Sequence, residues 1–305
     1  MSFSTAFSKK VITLNSGVLA LAATLIIWAS YFVALRSGAQ STLTGLDMAL
    51  LRFILPAVLL IPVLIRSRAR ILAVKKRYLL GIAIGAGLPF YVLSVIASGY
   101  VQAVIGSLLV PGVSPVFVTL VAVLFYRERL CKRKLVGLVI ILLGISLLIS
   151  NYTAPGTENG YLGPALYIIA ATCWAAYTVS VKMSKLPAME LAALLNVTAA
   201  AVLLALAPLQ LFESNIANAT WQQILPQLLI MGIFCGLITV MTYGHAIHKL
   251  GAEVSASWGA TTPVLVCLMA WFILGEALDL ITVIAMGSII SGVVCANFKS
   301  RSLKR

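Results

Sequence analysis

Ten apolar stretches, at about 16–35, 46–65, 79–97, 101–125, 135–150, 160–181, 188–211, 222–246, 253–274 and 280–298, occupy almost the whole sequence. A helix rises only about 1.5 Å per residue, so crossing a hydrocarbon core about 30 Å thick takes roughly 20 apolar residues. Between the stretches the chain is short and polar, as in "NYTAPGTENG" from Asn151 to Gly160 and "ESNIANATW" from Glu213 to Trp221. No room remains for a soluble domain. A content of 61% hydrophobic and 10% charged residues agrees. The expected class is an all-α integral membrane protein with ten transmembrane helices. Lys9 and Lys10 precede the first stretch as they would a signal peptide, but its apolar run is longer than a usual signal core, and it holds a motif repeated later.

A net charge of +14 suggests nucleic acid in a soluble protein, but here its distribution decides. With a cytoplasmic N-terminus and ten spans, 20 of the 22 Lys and Arg residues fall on the inner side. Arg36 is left outside and Arg52 lies within a span. The bias predicts a multi-pass protein of the inner (plasma) membrane, with both termini cytoplasmic and no nucleic-acid partner. Five scattered cysteines form no CxxC pair, metal spacing or disulfide framework, and read as small packing residues. Neither a metal nor a cofactor is expected.

"WASYFVALR" from Trp28 to Arg36 returns as "WAAYTVSVK" from Trp174 to Lys182. Further on, Ser107 pairs with Ser255, Pro115 with Pro263, Glu128 with Glu276 and Gly144 with Gly292, at one constant spacing. The chain therefore divides into a cytoplasmic segment (1–15), a first repeat (16–150), an external linker (151–159), a second repeat (160–298) and a cytoplasmic basic tail (299–305). Five spans per repeat is an odd number, so the second copy enters the membrane upside down. The loops agree: "YRERLCKRK" around Glu128 is basic, whereas "LGEALDL" around Glu276 has no Lys or Arg. Two inverted halves can exchange roles between inward-open and outward-open states around a site near the midplane.

These features resemble the drug/metabolite transporter superfamily, specifically its EamA-domain members. The resemblance is carried by "WASYFV", "LRFILPAVLL", "SGYVQAVIGSLLVPGVSPVFVTLVAVLFYRERL" and the matching "GAEVSASWGATTPVLVCLMAWFILGEALDL". It covers nearly the whole chain. What it implies is a secondary carrier, often an exporter of amino acids or other small metabolites.

Trp28 and Tyr31 share a helical face, as do Trp174 and Tyr177, and the pseudo-symmetry would set the pairs opposite each other. They are either the walls of a central cavity or ordinary packing aromatics. Pro115 and Pro263, within "VPGVSP" and "WGATTP", fall in mid-span and are candidate hinges, since proline removes a helical hydrogen bond. Around them Ser107, Ser114, Ser255, Ser257, Thr261, Thr262 and Trp258 are candidates for substrate contact; small polar residues also permit close helix packing. Arg52 costs about 2.5–3.5 kcal/mol to place at the bilayer centre, so it faces water or protein. It is either a carboxylate clamp or a structural latch on Asp47. His245 and His248 either relay a coupling proton or simply end a helix in polar surroundings. Glu128 and Glu276 read as caps of the helices that follow them. Gly81, Gly85, Gly144 and Gly292 read as close-packing sites.

The chain has no HExxH, no Gly-x-Ser-x-Gly and no paired intramembrane carboxylates, so it is not expected to be an enzyme. Without a Walker A loop it does not use ATP directly. All eight acids lie in loops or at span ends, which disfavours organic cations as cargo. Export of amino acids or related zwitterions and anions is the leading expectation, by a uniporting or proton-coupled carrier in the bilayer. The alternative is exchange or uptake of a larger metabolite, such as a nucleoside-linked cofactor.

Overall fold

The computed structural model describes residues 3–113, 116–117, 119–120, 123, 131–152, 160–207, 213–259 and 261–297, and they form helices and short connections with no strand among them. Ser114, Pro115 and Glu128 lie outside the described residues, as does the side chain of Ser257. The helices are α1 (Phe3–Ala39), α2 (Gly45–Leu72), α3 (Lys76–Gly85), α4 (Leu88–Tyr100), α5 (Ala103–Gly112), α6 (Lys132–Tyr152), α7 (Leu162–Ser184), α8 (Ala188–Leu206), α9 (Trp221–Leu250), α10 (Ala252–Gly259), α11 (Thr262–Leu274) and α12 (Leu280–Asn297). Six segments are long and apolar enough to cross a membrane: Ser16–Ala39, Gly45–Leu72, Lys76–Tyr100, Leu162–Ser184, Ala188–Leu206 and Trp221–Leu250. Ala103–Gly112, Thr262–Leu274 and Leu280–Ala296 are shorter apolar helices.

Local chemistry explains where the helices stop and break. Thr44 caps α2 and forms a capping box with Asp47, so two otherwise orphaned amides are bonded at once. The third apolar stretch is broken between α3 and α4, where Gly85, Ala86 and Gly87 precede Pro89 in the first turn of α4. The ninth is broken too. Pro263 therefore does not kink a continuous helix, as expected from its mid-span place, but sits in the first turn of α11, where its missing N–H is no loss. Pro111 lies inside α5, whose Leu108–Gly112 turn is wound as a π-helix, and a longer π segment, Leu228–Ile238, occupies the middle of α9. Such windings widen a helix locally and displace side chains from the regular phase.

Packing between the halves is reciprocal. The first helix of each half, α1 or α7, packs against the third and fourth elements of the other: α1 against α9 and α11, α7 against α3, α4 and α5. The second helices, α2 and α8, pack on each other, and so do the last, α6 and α12. This is the contact pattern of an internal two-fold axis. Glycine makes the closest approaches possible: a Cβ on Gly292 would lie 2.7 Å from the Gly137 carbonyl, and one on Gly85 would lie 2.6 Å from the Tyr177 amide.

Polar contacts pin one end of the bundle. There Arg36 donates from Nε to Glu276 Oε1 at 3.1 Å and from Nη1 to the Ser98 carbonyl at 2.8 Å. Glu276 Oε2 accepts the Ala103 amide at 3.2 Å, so it caps α5 rather than the helix that follows it. That helix, α12, is capped by Asp279 through the Thr282 amide at 2.9 Å, because Asp279 is the acid positioned just ahead of the first turn.

Candidate functional site

A cavity of about 60 Å³ lies where the two halves meet. Each half contributes its first helix: Trp28, Tyr31 and Phe32 from α1, Trp174 and Tyr177 from α7. The second helices add Arg52 and Leu195, the third elements Phe90, Cys235, Thr239 and Tyr243, and α5 supplies Val110 and Pro111.

The rings form a continuous cluster. Trp28 meets Trp174 edge-on with centroids 5.3 Å apart, and Tyr243 lies 4.8 Å from Trp28 and 5.9 Å from Trp174. Phe90 and Tyr177 flank Trp174 at 5.4 Å and 5.0 Å. Edge-on and tilted rings at these separations attract one another beyond simple burial. A metabolite site typically needs about 300–1,000 Å³. The rings thus stand closed on one another, and the space between them is smaller than a metabolite.

Against this apolar wall stand polar groups without partners. Arg52 is only 7% exposed, its guanidinium lies 5.0 Å over the Phe53 ring, and its Nη1 has no hydrogen-bond partner. Asp47 is not its counterion: that carboxylate accepts from the Thr44 amide, the Ser214 hydroxyl and the Asn215 amide. The latch expected between Asp47 and Arg52 is therefore absent. Helix capping and a distant loop saturate Asp47 instead. Thr239 Oγ1 also lacks a partner. The Tyr31 and Tyr243 hydroxyls lie toward Ser94 and Thr178 without a well-formed hydrogen bond. An unpaired buried polar group costs about 1–3 kcal/mol, which a ligand or water can recover. Among the described residues no acidic side chain lines it.

The sequence-selected residues separate into two groups. Trp28, Tyr31, Arg52, Trp174 and Tyr177 come together in the cavity. Ser107 is buried on α5, donating to the Val104 carbonyl at 2.7 Å, and does not line it. Ser255 is buried on α10 with its hydroxyl unpaired, likewise away from the lining. Trp258 is 57% exposed and does not line the cavity. His245 Nε2 lies 3.2 Å from the Ser16 hydroxyl, and His248 is exposed in the last turn of α9; neither reaches the cavity. Sequence reasoning missed Phe90, Leu195, Cys235, Thr239 and Tyr243. The signal for the last two was present, since "TVMTY" interrupts an otherwise apolar span with hydroxyl groups.

Comparison with known proteins places this geometry in context. The EamA-like transporter family matches the chain twice, at residues 15–150 and 161–298. An uncharacterized transporter of Archaeoglobus fulgidus is 25% identical over 278 residues, covering 90% of this chain and 95% of the relative. YedA, an uncharacterized inner membrane transporter of Escherichia coli K12, is 28% identical over 281 residues, covering 90% and 88%. A solved crystal structure matches 95% of this chain and 99% of its own with a TM-score of 0.64 and 17% identity, a likeness of fold alone.

Proposed function

The chain belongs to the EamA-like transporter family, and on that premise we propose that it exports amino acids or related zwitterions and anions across the inner membrane by alternating access. The observation that carries this reading is Arg52, a buried cation with an unpartnered Nη1 in a cavity between two related halves. A guanidinium presents paired donors to a carboxylate, and in a low-dielectric site that charge-assisted contact is strong. The aromatic walls receive the apolar body of the cargo, while Tyr31, Thr239 and Tyr243 offer hydroxyls to its remaining polar groups.

In this reading the protein spans the membrane ten times as two inverted halves, 16–150 and 160–298, with both termini cytoplasmic. The reciprocal packing of α1 and α7 supports it, because each half can then rock against the other around a fixed site. His245 and His248 stand off the cavity, so recognition of the cargo does not require them.

Counterflow in proteoliposomes tests the proposal. Vesicles loaded with unlabelled amino acids are given each one in trace labelled form, for the wild type and Arg52→Ala. Accumulation by the wild type that disappears in the variant is the expected result. If a monodisperse wild-type protein accumulates no amino acid, the reading fails, and larger metabolites such as nucleoside-linked cofactors become the panel. Equal accumulation by both proteins would confine Arg52 to structure.

A further inference from the structure

Arg52 and Leu195 are each the eighth residue of the second helix of their half, α2 and α8, and both line the cavity. Those helices pack on each other, and the two positions meet the cavity from opposite halves. The first helices present matching walls, Trp28 with Trp174 and Tyr31 with Tyr177. The second helices do not. A cation faces the cavity from the first half, and a leucine only 1% exposed faces it from the second.

We propose that Leu195 is a specificity-determining residue which limits the cargo to a single anionic group. The inference rests on the reading that Arg52 receives a carboxylate. A cargo held there by one end directs its other end across the two-fold, toward Leu195 and the rings. An apolar end is welcome in that place. A second carboxylate would lose its water and find no cation there, only neutral hydroxyls, because the described residues lining that side are leucine, aromatic rings and hydroxyl side chains. Selectivity then comes from what the second wall withholds as much as from what Arg52 supplies. It also fixes the polarity of binding, with the anionic end always on α2.

Calorimetric binding of L-methionine and L-glutamate, amino acids of similar length of which only the second carries a side-chain carboxylate, tests this. The proteins are the wild type, Arg52→Leu, Leu195→Arg and the swap Arg52→Leu/Leu195→Arg. The wild type should prefer methionine by about tenfold or more, and Leu195→Arg should shift that ratio toward glutamate by about tenfold or more. Arg52→Leu should lose methionine binding, and the swap should recover it to within about fivefold of the wild type. The swap keeps the charge and the summed side-chain volume of the cavity, so it decides the matter where Leu195→Arg fails to fold. An unchanged ratio in folded Leu195→Arg, or a folded swap as weak as Arg52→Leu, overturns the role of Leu195 and leaves the Arg52 reading standing. Undiminished methionine binding by Arg52→Leu, or none by the wild type, overturns the carboxylate reading itself, and the inference with it.

Discussion

Asp47 and Glu190 are each the third residue of the second helix of their half, and each carboxylate bonds across to the other half. Asp47 holds Ser214 and Asn215, in the segment between α8 and α9; Glu190 holds Arg70, in the last turn of α2, at 2.6 Å. The two contacts are unequal in strength. Removing the Asp47 side chain breaks the reciprocal half of the capping box and orphans three donors, a loss of about 2 kcal/mol. Removing Glu190 frees Arg70, whose side chain is already 65% exposed, and also removes the unpartnered Oε2 of Glu190, so the loss is about 1 kcal/mol or less. Thermal unfolding in detergent should therefore rank Asp47→Ala below Glu190→Ala, although only the second breaks an ion pair. The reverse order would refute the capping account.

Two glycines on α12 offer a matched comparison. A Cβ on Gly292 meets backbone of α6 at 2.7 Å and 2.9 Å, whereas one on Gly287 meets nothing within 4 Å. Neither Gly137 nor Ile141 can yield at the contacted atoms without moving α6. Gly292→Ala should lower the melting temperature by several degrees; Gly287→Ala should leave it unchanged or raise it slightly, since alanine favours a helix by about 1 kcal/mol over glycine. Equal effects would mean that α6 and α12 are not in backbone contact.

What the sequence revealed and what it hid have the same source. The repeated motif lies on the first helices, so it located Trp28, Tyr31, Trp174 and Tyr177 together. Phe90 and Tyr243 come from the third elements, where one half is broken at Ala86 and Gly87 and the other carries the π segment Leu228–Ile238; no shared residues marked them. Trp258 stands apart from the cavity for a related reason. It stands just before the break that separates α10 from α11, and side-chain direction cannot be carried across a break in helical phase. The partners of Asp47 were unreadable because Ser214 lies 167 residues away.

The contrast between these tryptophans gives a functional prediction. Trp174 touches four rings of the cavity, so Trp174→Ala removes a wall and should reduce counterflow by about tenfold or more. Trp258→Ala changes only an exposed surface and should stay within about twofold of the wild type. Comparable losses would place the transport path elsewhere.

Arg36 and Glu276 lead to the last prediction. Their ion pair joins α1 to the loop after α11, and the same two side chains bind the end of α4 and the start of α5. Four elements drawn from both halves thus close one end of the bundle, and motion of one half against the other at that end must break these bonds. Lysine cannot reproduce the arrangement, since Arg36 uses Nε for the carboxylate and Nη1 for the Ser98 and Gly99 carbonyls. Cys235, buried in the cavity, is a natural reporter of opening. With Cys131, Cys173 and Cys295 replaced by serine and the buried Cys267 by alanine, a membrane-impermeant thiol reagent applied from the Arg36 side should label Cys235 slowly in the otherwise native protein. Arg36→Ala and Arg36→Lys should both raise that rate, by about threefold or more if the latch contributes about 0.7 kcal/mol to the closed state. A rate unchanged in Arg36→Ala would show that the four-element contact does not hold that end closed; full protection by lysine would reduce its role to charge alone.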